Sequence, residues 1–317
     1  MSPITKSAGA GIGLALLFTV VAVIAQVAPR QPVGAIAAAI DENYFDAKRG
    51  RQIADDLRQA AADGAFDALT DPAQLAATLT ARLKPLDRHF RVTWTGSGER
   101  QGRSSLPPGL SGDGIARVDV LPGNIGYLRL THFAHVAFGR ADDPVRKAID
   151  AALQRLSTTD AVIVDLRDTP GGSPNMVGYL VSAFTPRDAN IYNTFHSRSG
   201  GTTSEAPREP HARPRLDVPL FVLISQRTGS AAEAFSYTVK NAKRATIVGE
   251  TSRGAANPGG FVDVGDGFAV FVSDGTPVSP ITHTNWEGVG VTPDVAVPAA
   301  AALDKATELA QGKPPSA

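Results

Sequence analysis

The chain has 317 residues, 43% of them hydrophobic and 20% charged, a globular composition with room for one large domain or two modest ones. Thirty-one basic residues balance 31 acidic ones, which argues against a nucleic-acid binder, since such proteins carry a basic excess to neutralise phosphates. There is no cysteine, so disulfides, thiolate nucleophiles and cysteine-ligated zinc or iron–sulfur centres are excluded.

After Lys6 the stretch from Ala8 to Ala25 carries no charge. Its length sits at the lower limit for a membrane-spanning helix. The positive start, the apolar run and Val23-Ile24-Ala25 before Gln26 are the parts of an export signal. Residues 1–25 are therefore expected to be a signal peptide or a retained membrane anchor. Either way the rest of the chain is exported, to the periplasm or the cell exterior.

Residues 33–92 read as a small helical domain. Ile36, Ile40 and Tyr44 recur every four residues, Ile53, Leu57 and Ala60 share one face, and Leu75, Leu79 and Leu83 form a third stripe after Asp71-Pro72. Residues 93–120 read as a linker, because 95–115 is rich in Gly, Ser, Arg and Pro. That stretch is far too short for an inserted peptide-binding domain.

From 121 to 305 strands and helices alternate, which predicts a mixed sheet with helices packed on it. Strands are expected at Ile125–Leu130, Ala161–Leu166, Leu220–Ser225 and Ala245–Gly249. Helices are expected at Pro144–Leu156, Met176–Phe184 and Ala231–Asn241, and a hairpin turns at Gly265-Asp266-Gly267. Ser197–Pro214 is polar and reads as a surface loop, and 306–317 as a flexible tail.

Three stretches could carry chemistry. Ser230, in Arg227-Thr228-Gly229-Ser230-Ala231-Ala232-Glu233, joins a strand to a helix. There it is either an exposed hydroxyl beside helical N–H groups or a plain N-cap completed by Glu233 in a capping box. Val164–Gly172 is a buried strand ending in Gly171-Gly172; the paired glycines let backbone approach a ligand, or simply turn the chain. Glu287, in Thr284-Asn285-Trp286-Glu287-Gly288, is a loop carboxylate with no assigned task by itself, and His89 alone reads as structural. His196, His211 and His283 are isolated, and His132 and His135 lie just past a strand. No metal site and no cofactor are expected.

Together and in this order, Leu86–Val92 (LDRHFRV), Gly126–Leu130 (GYLRL), Val162–Gly172 (VIVDLRDTPGG), Arg227–Tyr237 (RTGSAAEAFSY), Arg244–Glu250 (RATIVGE) and Thr284–Asp294 (TNWEGVGVTPD) resemble the tail-specific or C-terminal-processing serine peptidases. The likeness is strongest to the branch of interphotoreceptor retinoid-binding protein and the tricorn core. It spans about residues 33 to 305. It implies an α/β, crotonase-like core of ββα units behind a small α-helical N-terminal domain. The family's nucleophile falls on Ser230. The position of the lysine base used in one branch is Ala255, and no lysine occurs between Lys243 and Lys305. The other branch takes its base from the helical domain and its orienting carboxylate from the late loop, which correspond to His89 and Glu287. Backbone N–H groups of Gly171 or Gly172, with Ala231, would form the oxyanion hole. His283 stands where relatives tend to have glycine. The resemblance implies an exported serine peptidase acting on a polypeptide or peptide. A catalytically silent binder of a retinoid or fatty acid is the competing reading.

Overall fold

A computed structural model describes residues 29–96 and 111–312. The apolar segment 8–25 and the end of the tail lie outside the described residues. Among the described residues no helix is long and apolar enough to cross a membrane.

The chain opens with three helices, α1 (Arg30–Asn43), α2 (Ala47–Ala62) and α3 (Pro72–Leu83), followed by strand β1 (Arg91–Trp94). The apolar stripes seen in the sequence are the buried faces. Ile36, Ile40, Ile53, Leu57, Leu75 and Leu79 meet in one core. Asp46 and Asp71 cap α2 and α3 by accepting from the free N–H groups of the first turn.

Next come β2 (Ile115–Leu121), β3 (Ile125–Leu130), α4 (Pro144–Arg155), β4 (Ala161–Asp165) and α5 (Pro174–Ser182). β5 (Thr194–Ser197), β6 (Thr202–Ser204), β7 (Leu220–Ile224), α6 (Ala231–Asn241) and β8 (Thr246–Gly249) follow. The chain ends with β9 (Gly259–Gly265), β10 (Phe268–Ser273), β11 (Gly275–Val278), β12 (Val295–Ala296) and α7 (Ala302–Ala310). Asp143-Pro144 and Ser173-Pro174 open α4 and α5 by the device seen at α3: a capping side chain, then a proline whose missing N–H costs nothing at the first helical position.

Six strands form the main sheet in the order β12-β8-β7-β4-β3-β2, parallel except for the β2–β3 hairpin. β4 and β7 are buried at every residue, as expected of central parallel strands covered on both faces. One face (Leu128, Val164, Val222, Ile247) packs on α4, α5 and α6, while the other (Tyr127, Ile163, Leu223, Val248) packs on α7. The fold is thus mixed α/β, with helices at the N-terminus and a mixed sheet behind them.

Three features differ from the sequence expectation. Residues 306–310, the start of the stretch read as a flexible tail, are the second half of α7, with Ala306 buried against the main sheet. Residues 93–120, read as linker, hold the end of β1 and all of β2 but its last residue. β1 pairs antiparallel with β10, so the late hairpin β9–β10 joins the helical core through Phe268, Val270 and Val272. Within Ser197–Pro214, read as a surface loop, β6 pairs with β5, and Glu205 just after it is buried. β1 finds its partner far along the chain, whereas β2 and β6 pair locally with β3 and β5.

Candidate active site

Ser230 stands at the turn from β7 into α6 with φ 49° and ψ −120°. A non-glycine residue held in that region stores strain, which persists only where its surroundings over-determine it. The anchors are specific. Ser230 N–H donates to Glu233 Oε2 at 2.8 Å, and Gly229 N–H donates to Thr169 O at 3.0 Å. Glu233 is fully buried and also accepts from Ser252 Oγ (2.6 Å), Gly254 N–H (2.5 Å) and Ala255 N–H (2.9 Å). Burial pushes its carboxyl up, against these four donors. Ser230 itself remains exposed.

Gly171 and Gly172 face this serine. Their φ values of 137° and 140° lie where side chains are rarely tolerated. A Cβ on Gly171 would lie 2.7 Å from Ser230 Cβ and 3.2 Å from its Oγ, and one on Gly172 would collide with Phe133 O. The loop is pinned by Phe133 N–H to Gly171 O (2.9 Å) and Ser173 N–H to Phe133 O (2.7 Å). Among the described residues, no acceptor takes the N–H groups of Gly171, Gly172 or Ala231. Three backbone donors near the serine are thus left open.

His89 lies between α3 and β1. Its Nδ1 is 2.9 Å from Asp87 Oδ1 and 3.6 Å from Glu287 Oε1. Asp87 Oδ1 also accepts the His89 N–H at 2.8 Å, and Asp87 Oδ2 accepts from Ser273 Oγ at 2.9 Å. Burial disfavours charge on the imidazole, but the hydrogen bond to Asp87 and the charges of Glu287 and Asp87 outweigh it, so its pKa is raised. Burial likewise opposes ionisation of Asp87, yet its bonds to His89 and Ser273 bring its pKa below the ordinary value. Both carboxylates address Nδ1, which assigns the proton to that nitrogen and leaves Nε2 as the basic one.

A single segment links the two halves. Gly254 and Ala255 donate to Glu233 below Ser230, and the next two residues, Ala256 and Asn257, donate to Glu287 Oε2 at 2.8 and 3.0 Å. Arg88, beside His89, donates to Arg253 O and, at 3.4 Å, to Gly254 O. His89 and Glu287 are thus adjacent, and Ser230 adjoins the Gly171–Gly172 loop and Ala231. Ser230 and His89 share no direct hydrogen bond, which is common before substrate binds.

Asp87 escaped the sequence reading although it stands two residues before His89. Its only signal is that an aspartate can fold back onto the N–H two residues on. Ala255 supplies a backbone donor to Glu233. His283 adopts φ 56°, the left-handed conformation that favours glycine, with its ring exposed. The donor atoms of Asp87, His89 and Glu287 lie within 4.8 Å of one another, close enough to ligate a small divalent cation, an arrangement the histidine spacing did not signal.

Comparison with known proteins identifies the family and the fold. The chain is 30% identical over 202 residues to carboxyl-terminal-processing peptidase 2, chloroplastic, of Arabidopsis thaliana, a match covering 58% of this chain and 35% of that protein. The chain therefore spans little more than a third of that relative's length. Its fold is similar to the photosystem II D1 C-terminal processing protease, with TM-score 0.56, 18% identity, and 86% and 94% of the two chains covered. It is also similar to a lipoprotein from Streptococcus agalactiae, with TM-score 0.59, 12% identity, and 96% and 100% covered. The model of peptidase family S41 matches residues 124–297, more than half of the sequence, and the chain belongs to that family.

Proposed function

We propose that the protein is an exported serine peptidase that hydrolyses polypeptides through an acyl-enzyme on Ser230, with His89 as general base. The observation that carries the proposal is the strained, exposed position of Ser230 against the open N–H groups of Gly171, Gly172 and Ala231. A pure binding protein has no physical need to hold a serine in that conformation.

In the reaction His89 Nε2 takes the proton from Ser230 Oγ as that oxygen attacks the scissile carbonyl carbon. The carbonyl oxygen becomes an oxyanion within reach of Gly171 or Gly172 and Ala231, where each preorganised donor contributes about 3–4 kcal/mol. The imidazolium returns its proton to the leaving amine, and a water activated by the same base then releases the acyl group. Asp87 holds the tautomer and stabilises the imidazolium at 2.9 Å, with Glu287 assisting at 3.6 Å. This assignment adds Asp87 to the carboxylate that the resemblance implies.

The relative's name supports cleavage near polypeptide C-termini, and the uncharged run 8–25 behind Lys6 supports export. The β2–β3 hairpin and the helices on the main sheet are compatible with a crotonase-like core of ββα units. An apolar-lined cavity beside Ser230 is the one feature that favours the binder of a retinoid or fatty acid. Incubating the full chain with an unstructured polypeptide tests the two readings. Fragments that form with the wild type and not with Ser230→Ala support the peptidase, and fatty-acid binding without fragments supports the binder.

A further inference from the structure

The cavity beside Ser230 has a volume of about 420 Å³. Gly172, Ser230 and Ala231 line it, so the serine and two residues with open N–H groups border one space. Phe195, Ala234, Ala256 and Trp286 supply apolar wall. Glu205 lines it as well, only 4% exposed.

Glu205 is held firmly. Its Oε2 accepts from Asn193 Nδ2 at 2.8 Å, and Asn193 Nδ2 also reaches Thr238 Oγ1 on α6 at 3.1 Å. Its backbone N–H donates to Asn193 O at 2.9 Å, and its carbonyl oxygen packs so closely on α5 that a Cβ at Gly178 would collide with it. Yet its Oε1 is buried without a hydrogen-bond partner. Among the described residues, every ion pair is made by other acids. Burial pushes the carboxyl to about 8, with only Asn193 opposing. A buried acid that lacks both a counter-ion and one of its hydrogen bonds is costly. Glu205 nonetheless stands in the wall of the cavity that Ser230 also lines.

A side chain with an apolar stem and a cationic head would fill that gap. Its methylenes would lie along Phe195, Ala234, Ala256 and Trp286 while its head supplies the donor Oε1 lacks. The exposed carboxylate of Asp274, also on the lining, adds attraction for a cation. The open donors of Gly172 and Ala231 would receive the scissile carbonyl, so the side chain nearest the cavity is that of the residue bearing this carbonyl. We propose that this cavity receives the side chain on the acyl side of the scissile bond, and that Glu205 selects lysine or arginine there. This rests on Ser230 being the nucleophile.

The test is labelling of the full chain by peptidyl phosphonates that differ only in lysine against norleucine at the residue bearing phosphorus, with a plain fluorophosphonate alongside. The proposal predicts faster labelling by the lysine probe, by about tenfold or more as expected for a charge-assisted bond. Glu205→Gln should abolish that preference, the ratio of the two peptidyl probes' rates falling to about one. If that variant fails to fold, the wild-type preference alone decides. Equal labelling by both peptidyl probes, or preference for norleucine, overturns the role of Glu205 while the nucleophile stands. Failure of all three probes on the folded wild type overturns the nucleophile and this proposal together.

Discussion

Two carboxylates address one imidazole nitrogen, and their unequal geometry makes a ranked prediction. In Asp87→Asn the amide oxygen can keep the bonds to His89 N–H and Nδ1–H, while the amide nitrogen turns to Ser273 Oγ, which rotates to accept. The fold survives and the charge is lost. A hydrogen bond to a charged group is worth about 1.5–3 kcal/mol and a neutral one about 0.5–1.5. The imidazolium thus loses about 1.5 kcal/mol, roughly tenfold in kcat/KM. Glu287 stands at 3.6 Å with its side chain 25% exposed, against 4% for Asp87, so solvent screens it. In Glu287→Gln the amide oxygen can still accept from Ala256 and Asn257 N–H, and the loss should be about 0.5 kcal/mol, or two- to threefold. The assay is kcat/KM on one peptide substrate at saturating alkaline pH for both variants, with thermal melts to verify folding. A greater loss for Glu287→Gln than for Asp87→Asn would refute the assignment of Asp87 as the main orienting group.

The His89 pKa is raised, so the imidazole keeps its proton above the ordinary value of 6.5. Activity needs the neutral ring, so kcat/KM should rise with pH about a midpoint above that value, and Asp87→Asn should move the midpoint down; a profile flat across that range removes His89 as base. Gly171→Ala would put a methyl 2.7 Å from Ser230 Cβ at φ 137°, and should cost about 1–3 kcal/mol in a denaturant melt with near-complete loss of turnover. Wild-type turnover in that variant would show that the loop does not border the reacting atoms. At the end of β4, Asp165 accepts from Arg167 Nη2 and Tyr127 Oη, both at 2.6 Å. Arg167→Ala should therefore cost about 3 kcal/mol by stranding a buried carboxylate. Burial opposes ionisation of Asp165, but its bonds to Arg167 and Tyr127 lower its pKa. The wild type's share of this stability is present above pH 3.8 and lost as pH falls further, so the gap between the two proteins' melts should narrow in acid; a gap that stays constant as the pH falls below 3.8 would contradict that.

Much of the fold was legible because it is written in local periodicity. The stripes through Ile36–Tyr44, Ile53–Ala60 and Leu75–Leu83 are the buried helix faces, and the uninterrupted apolar run at Ala161 is a central strand. The Asp-Pro starts of α3 and α4 follow from capping chemistry that one dipeptide carries, while α5 begins at Ser173-Pro174, ahead of the expected Met176. Part of what escaped notice depends on partners distant in sequence. β1 is four residues long and is held by Thr80 on α3 and by pairing with β10 about 175 residues on. Glu205 looks like any acid in a polar loop, and nothing local marks it for burial beside Asn193. Asp87 was visible within Leu86–Val92, but its position on Nδ1 is set by Ser273 on β10 as much as by His89. Ser230 and the Gly171–Gly172 pair could be singled out because a strand-to-helix turn and paired glycines constrain backbone. The strain at φ 49° and the single segment 254–257 linking Glu233 to Glu287 required the fold.

The central claim is that Ser230 is an activated nucleophile. The most direct test is intact-mass analysis of the full chain after reaction with a fluorophosphonate, beside Ser230→Ala and His89→Ala. The account predicts one adduct per chain in the wild type, mapping to the Ser230 peptide, none in Ser230→Ala, and labelling slowed at least tenfold in His89→Ala. An unlabelled but folded wild type, or an adduct that persists in Ser230→Ala, would contradict it.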